Sequence, residues 1–272
     1  MVGGGECPAG SPRDAIRAQK DETVAKSIEA LREEFDDKGY VVIDNYLSPS
    51  EIRQVLESIE AYRAAGHEVI QVDQKSLIRT QVFKTIVGDE CEQHIALFGD
   101  LWRSRILELS KQLAGVDLLP LNDSAIGLNC NITERSGVLS FHYDRNEVTA
   151  VLYLQQCRGG ALECYPHFRL LLPQRYSWHM KQLQRALDVL WRTPAALWLA
   201  RKRREFIVPE AGRLVIMRGP LALHRVQAVE DGPNRIAGVF CYDRPEVKWE
   251  KWNSKDNYVV LSRKGQKATS RY

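Results

Sequence analysis

After an opening stretch rich in Gly, Pro and Ser, the apolar positions of this chain fall first at helical and later at strand spacing. Residues 1–13 read as a disordered leader. From Asp14 to Asp37 the residues Ala15, Ile16, Val24, Ile28, Leu31 and Phe35 form one helical stripe, which Gly39 ends. Tyr40 to Leu47 is rich in β-branched and aromatic residues and predicts a strand. Ser48-Pro49-Ser50-Glu51 is a helix start, with a capping box and a proline in the first turn. Ile52, Val55, Leu56 and Ile59 give that helix its apolar face, and Gly66 is its expected stop.

Glu68 to Ile86 predicts short strands and loop, and Cys91 to Leu113 one helix with Leu97, Leu101, Ile106, Leu109 and Leu113 inward. Short strands follow, including Ala125 to Ile132. Val148–Leu154 and Ala161–Tyr165, joined across Arg158-Gly159-Gly160, predict a hairpin. Arg213–Met217 and Arg235–Phe240 are expected to bracket a loop carrying His224. Helices first and strands afterwards predict an α+β chain with antiparallel later strands. Between Tyr165 and Arg213 the pattern turns helical again over 174–205, through Trp178, Leu183, Leu187, Leu190 and Trp191, until Pro194 interrupts it.

Composition narrows the class. With 272 residues, 44% hydrophobic and 27% charged, the chain suits one large domain, expected over 14–272 with its strand-rich core at about 117–245. No apolar run has the length of a membrane span, and the N-terminus lacks the basic and apolar regions of a secretory signal. The six cysteines, at 7, 91, 130, 157, 164 and 241, form no Cys-x-x-Cys pair, which points to a reducing, cytoplasmic setting rather than a disulfide framework. The net charge is only +3, and nine Lys/Arg against two acids crowd between Phe168 and Phe206. One local basic feature of this kind argues against a nucleic-acid-binding protein.

The candidate chemistry lies in Phe141-His142-Tyr143-Asp144, just before the strand Val148–Leu154. A histidine and an aspartate two apart on an extended segment share a face, so an imidazole nitrogen and a carboxylate oxygen can reach one ion. His224, after a strand and the turn Gly219-Pro220, is the third candidate ligand. Two His and one carboxylate leave open positions opposite, an arrangement that suits non-haem Fe(II). Arg235 follows eleven residues after His224, inside the next strand. His67, His94, His167 and His179 show no spacing that marks a second site.

This order of motifs resembles the Fe(II)- and 2-oxoglutarate-dependent oxygenases, in their phytanoyl- and prolyl-hydroxylase-like branch. Gly39 to Ser48 is similar to that family's entry strand and helix start, Gly159 to Pro166 to the hairpin after its His-x-Asp strand, and Ala211 to Met217 to the strand leading to its distal histidine. The resemblance spans about 39–245. It implies a double-stranded β-helix (a cupin-like jelly roll) with N-terminal helices and a helical insertion. It implies His142, Asp144 and His224 as metal ligands for Fe(II), and Arg235 as the partner of the distal carboxylate of 2-oxoglutarate. A guanidinium is always charged and can grip a carboxylate with two parallel bonds. Arg218, Arg225 and Arg244 are neighbours able to do the same.

Many relatives carry Ser or Thr two residues beyond that arginine, where this chain has Ala237. A second co-substrate contact must then come from elsewhere, with Asn129, Asn131 and Tyr153 as candidates. The implied activity is oxidation of a small molecule, an amino acid or natural-product intermediate, with O2 as the other substrate. Hydroxylation is the default outcome, and desaturation or ring closure are open to the same chemistry; Asp144 argues against halogenation, which needs a small residue there. The alternatives are a non-catalytic jelly-roll binding module working through its basic insertion, or a redox-neutral cupin metalloenzyme. The insertion itself reads as a solvated decoration, as a lid over the active site, or as a basic surface for acidic membrane or RNA.

Overall fold

The computed structural model describes residues 27–75, 80–121, 126–167, 178–191 and 193–247. The leader, the first half of the first expected helix and residues 168–177 therefore lie outside the described residues. Helix α1 (Ile28–Lys38) ends where Gly39 takes the left-handed conformation, φ 75°, and its N–H closes on the Phe35 carbonyl. Strand β1 (Tyr40–Ile43) is shorter than the sequence predicts, because Asn45 turns the chain with φ 54°. Helix α2 (Pro49–Ala64) starts with the expected capping box: Ser48 accepts from the Glu51 N–H and Glu51 accepts in return from Ser48.

The single helix expected over Cys91–Leu113 is broken into α3 (Gly88–His94), α4 (Ala96–Asp100), a π-type turn (Leu101–Arg105) and α5 (Ile106–Ala114). The break is at Ile95, which leaves helical geometry at φ −121°, ψ 71° and is fully buried, as is Phe98 three residues on. A straight helix has one inward stripe; here a wide sheet face must be covered, and the bends let successive apolar residues all point inward.

The remaining strands are β2 (Ile70–Lys75), β3 (Thr80–Val87), β4 (Leu119–Pro120), β5 (Leu128–Thr133), β6 (Val138–His142), β7 (Val148–Tyr153), β8 (Leu162–Tyr165), β9 (Glu205–Ile207), β10 (Leu214–Arg218), β11 (Leu223–Val226) and β12 (Arg235–Asp243). They form one curled antiparallel sheet in the order β1-β10-β7-β12-β5-β3-β6-β11-β8-β9. The fold is α+β, a jelly roll of the double-stranded β-helix type with helices on one side. Strand β3 is the seam: its Lys84–Val87 end pairs with β5 of the large half, and Gln81 and Val82 pair with β6 of the small half.

Alternation along the strands separates two interiors. One face of the large half (Val41, Ile86, Leu128, Cys130, Leu152, Ile216 and Phe240 among others) packs with the helices as the main hydrophobic core. The opposite face looks into the roll and carries a smaller cluster that includes Tyr40, Val151, Tyr153, Val215, Met217 and Ala237. Strands β5 and β7, buried throughout, have to be apolar on one side and suited to the roll on the other.

The structure corrects two strand assignments. Val148–Leu154 and Ala161–Tyr165 do not make a hairpin: β7 pairs with β10 and β12, whereas β8 pairs with β11 and β9. The Gly159-Gly160 segment is a crossover between the two halves of the roll, and both glycines have positive φ. His224 stands within strand β11 rather than in a loop.

The insertion is helical where it is described, with α6 (Trp178–Leu190) and α7 (Pro194–Leu199) followed by the turn Arg201–Arg203. Within it Gln184 and Asp188 are buried and share a 2.9 Å hydrogen bond, while Leu183, Val189, Leu190, Trp198 and Leu199 are exposed. No helix among the described residues is long and apolar enough to cross a membrane.

Candidate metal centre

The centre is built on the small half of the sheet. His142, the last residue of β6, is the direct cross-strand partner of His224 in β11, and His224 is in turn opposite Cys164 of β8. The β6–β11 register then shifts: the next paired residues are Val226 and Leu139, so three steps on β6 match two on β11. Such a bulge re-aims a strand end. Strand β6 stops at His142, so of the His-x-Asp pair only the histidine is within the strand. Asp144 lies two residues beyond, in the loop to β7, and is still brought to both histidines.

Asp144 Oδ1 is 3.7 Å from His142 Nε2, and Asp144 Oδ2 is 3.8 Å from His224 Nε2. One ligand atom from each of the three residues falls within 4.8 Å of the others. Each imidazole is oriented from behind. His142 Nδ1 is 2.8 Å from the Ser140 carbonyl and His224 Nδ1 is 3.1 Å from the Ala222 carbonyl. A carbonyl only accepts, so Nδ1 must carry the proton in both rings, and both Nε2 atoms carry the lone pair that can face one ion. The donor set and tautomers fit a 2-His-1-carboxylate metal. With bonds of about 2.1 Å, adjacent ligands lie about 3 Å apart, so Asp144 need close on each histidine by less than about 1 Å.

The Asp144 loop is fixed by its surroundings. Buried Asn146 donates to the Val148 carbonyl at 2.6 Å and to Thr149 Oγ1 at 2.9 Å, and Arg244 holds Glu147 through two bonds of 3.1 and 3.2 Å. Gly219, in the β10–β11 turn, passes so close that a Cβ there would sit 2.3 Å from the Asn146 carbonyl oxygen and 2.9 Å from Asp144 Cβ.

A second group of polar residues faces the roll from the large half. Arg235 of β12 is opposite Thr133 of β5, and Ala237 is opposite both Asn131 of β5 and Tyr153 of β7. All four polar residues are buried, Arg235 at 3% exposure, and Arg235 Nε, Asn131 Oδ1, Thr133 Oγ1 and the Tyr153 hydroxyl have no hydrogen-bond partner. The Arg235 guanidinium lies over the Tyr153 ring at 5.0 Å, and no carboxylate among the described residues pairs with it. Its three rivals are occupied: Arg218 by Asp36, Arg225 by Glu163 at 2.6 Å and Arg244 by Glu147 at 3.1 Å. A buried cation without an anion is costly, and with the unpaired Thr133 and Tyr153 hydroxyls as donors it makes a cradle able to take an anionic ligand.

Gly160, at φ 62°, lets the crossover close over this cradle, since a Cβ would lie 3.1 Å from Arg235 Cδ and 3.2 Å from Cys157 Sγ. Burial pushes the Cys157 thiol up, with Arg235 nearby opposing the shift. Thr133 was not among the sequence candidates. The signal was its position two residues after Asn131 on one strand, which puts both side chains on the same face.

The structure matches those of many Fe(II)/2-oxoglutarate oxygenases. SnoK, the non-heme alpha ketoglutarate dependent carbocyclase of nogalamycin biosynthesis, aligns with a TM-score of 0.60 at 19% identity, over 84% of this chain and 90% of its own. SnoN, the alpha ketoglutarate dependent epimerase of the same biosynthesis, aligns with a TM-score of 0.58 at 16% identity, over 80% and 83%. A prolyl hydroxylase of Trichoplax adhaerens, in complex with a hypoxia inducible factor peptide, aligns with a TM-score of 0.55 at 15% identity, over 88% and 97%. At these identities the likeness is one of fold. No family model matches the chain, and no curated protein matches its sequence.

Proposed function

We propose that this chain is an Fe(II)- and 2-oxoglutarate-dependent oxygenase of a small molecule, with His142, Asp144 and His224 holding the metal and Arg235 the far carboxylate of 2-oxoglutarate. The observation that carries the reading is the pair of imidazoles whose Nδ1 protons are tied to the Ser140 and Ala222 carbonyls while both Nε2 atoms converge on Asp144. Those constraints serve a metal better than they serve packing. Bound Fe(II) with 2-oxoglutarate and O2 supplies oxidative decarboxylation, giving succinate and CO2, and the power to take hydrogen from an unactivated carbon.

The chain's own residues bind and orient. Arg235 neutralises an anion inside the roll, and the Tyr153 and Thr133 hydroxyls stand beside it as donors. They replace the hydroxyl that Ala237 lacks. Asn131, turned about its amide axis, offers an N–H to the same place. A dicarboxylate there would give Arg235 the anion that it lacks.

Support for a metabolite substrate comes from SnoN, whose structure in complex with Fe3+, alpha ketoglutarate and nogalamycin RO shows a roll of this kind holding all three. The epimerase and carbocyclase activities of SnoN and SnoK keep outcomes besides hydroxylation open for this chain. Anaerobic titration with Fe(II) and 2-oxoglutarate, followed by a metabolite screen for succinate release, tests the proposal. One equivalent of each and substrate-dependent succinate is the expected result. Binding of metal without 2-oxoglutarate would instead leave a redox-neutral cupin enzyme, and binding of neither a plain binding module.

A further inference from the structure

The helical layer contains a second convergence of metal-binding side chains, made by His67, Glu90 and His94. It lies on the face of the large half turned away from the roll, so it is not part of the centre described above. Its three residues come from two elements whose positions are fixed. Helix α2 closes with a Schellman motif: Gly66 takes φ 77°, its N–H bonds the Arg63 carbonyl at 3.1 Å, and the His67 N–H bonds the Tyr62 carbonyl at 3.4 Å. That motif lays the His67 ring on Tyr62, with centroids 4.8 Å apart and planes at 24°.

Glu90 and His94 come from α3, where a spacing of four puts both on one face. His94 Nε2 is 3.7 Å from Glu90 Oε2, and the rings of His67 and His94 have centroids only 4.4 Å apart. The Tyr62 hydroxyl is 2.7 Å from the Glu68 carbonyl and 3.1 Å from Glu90 Oε2. Donation to Oε2 uses one lone pair of that oxygen and leaves the other carboxylate oxygen able to turn to a cation. One ligand atom from each of the three residues lies within 4.8 Å of the others.

We infer that His67, Glu90 and His94 form a zinc site that clips the turn after α2 to α3. Two imidazoles and a carboxylate are a common zinc donor set, and the fourth tetrahedral position is open to water because His67 is exposed. A simple ion pair between Glu90 and His94 requires nothing of His67. Aromatic packing on Tyr62 requires nothing of Glu90. A shared divalent ion uses all three, and His67, the exposed member, is the one with room to turn toward it.

The test is a competition titration of chelator-stripped protein with Zn(II) against a chromophoric chelator. The wild-type protein is expected to take two equivalents. His142→Ala/Asp144→Ala, which disables the roll centre, keeps one. His94→Ala and His67→Ala each lose the other, their affinity at the helical site falling by roughly a hundredfold or more, beyond the 10–100-fold that loss of a mere ligand-orienting partner brings. In the His142→Ala/Asp144→Ala background Zn(II) should also raise the thermal midpoint, an effect abolished by adding His94→Ala. Two full-affinity equivalents in His94→Ala, or none in His142→Ala/Asp144→Ala, would overturn the assignment. Folding of each variant is checked by its thermal transition without metal.

Discussion

His142 and His224 are directly opposed across the β6–β11 ladder, with ring centroids 4.2 Å apart and planes at 57°. A cross-strand pair is the closest approach two side chains of one sheet can make. Left without a cation between them, two imidazoles and a carboxylate would gain little from being held this near by two separate backbone carbonyls. His142→Ala, Asp144→Ala and His224→Ala are each expected to abolish stoichiometric Fe(II) binding while leaving a cooperative unfolding transition. Anaerobic Fe(II) titration measures it, and wild-type binding in any two of the three would remove the metal assignment.

The turn at Gly219 gives a separate route to the same centre. A methyl group placed 2.3 Å from the Asn146 carbonyl must push the loop that carries Asp144, or the turn that leads into β11 and His224. Overpacking of this kind costs about 1–3 kcal/mol. Gly219→Ala should therefore keep the fold but weaken Fe(II) by roughly tenfold or more, the size of effect seen when ligand positioning is disturbed. Equal affinities in the variant and the parent would show that the loop moves independently of the metal ligands.

How much of this is legible in the sequence depends on the range over which each signal acts. Ser48-Pro49-Ser50-Glu51 and Gly39 act within one turn of helix, and both ends formed as read. The alternation of β7 and β10 was equally plain, but alternation names a strand and not its partner. Consecutive strands usually pair, which made a hairpin of β7 and β8; in a roll the chain crosses between halves instead. The bends at Ile95 answer to the width of the sheet beneath them, a demand set by residues far away in sequence. Thr133 and the cluster of His67 with His94 depend on register and helix packing, which no local spacing records. That His142, Asp144 and His224 come together was legible because the combination is unusual and two of its members stand two residues apart on the chain.

The start of α2 carries a pH signature. The Glu51 carboxyl is held down at about 2, first by the Ser48 backbone N–H and then by Arg105 and the Ser48 hydroxyl. A depressed folded value stabilises the protein above the ordinary carboxylate value of about 4.3, and that stability is lost as pH falls toward 2. Allowing for solvent screening, Glu51→Gln should cost about 1 kcal/mol at pH 7. The difference should shrink steadily between pH 4.5 and 2, as followed by urea midpoints. A gap independent of pH would assign the cost to the lost cap geometry alone.

The insertion leaves the end of β8 and returns as β9, which pairs with β8 itself, one strand away from β11 and His224. Among the described residues nothing covers its outward Leu183, Val189 and Leu190, which are exposed. If this excursion covers the opening of the roll, replacing 174–205 by a short linker should raise 2-oxoglutarate consumption relative to product, because water reaches the reacting centre. The ratio of succinate to oxidised substrate measures it. Unchanged coupling and substrate affinity would make the segment a decoration or a surface for another molecule.

Arg235 offers the most quantitative test. It is almost fully buried, its guanidinium rests on Tyr153, and the rival arginines already hold carboxylates of their own. The far carboxylate of 2-oxoglutarate would supply the missing anion. Removing one partner of a buried charge pair costs roughly 3–5 kcal/mol, and about 1.4 kcal/mol is a factor of ten in affinity. Arg235→Ala should therefore weaken 2-oxoglutarate by roughly two to three and a half orders of magnitude at saturating Fe(II). Arg235→Lys keeps the charge and loses the planar fork, so it should fall between the two. Tyr153→Phe removes one neutral donor beside the same anion and should cost only about 0.5–1.5 kcal/mol, roughly tenfold or less. Fe(II) binding should survive all three changes, since none touches a ligand. An Arg235→Ala protein with undiminished 2-oxoglutarate affinity would take this co-substrate out of the cradle, because Arg218, Arg225 and Arg244 could replace it only by abandoning Asp36, Glu163 or Glu147.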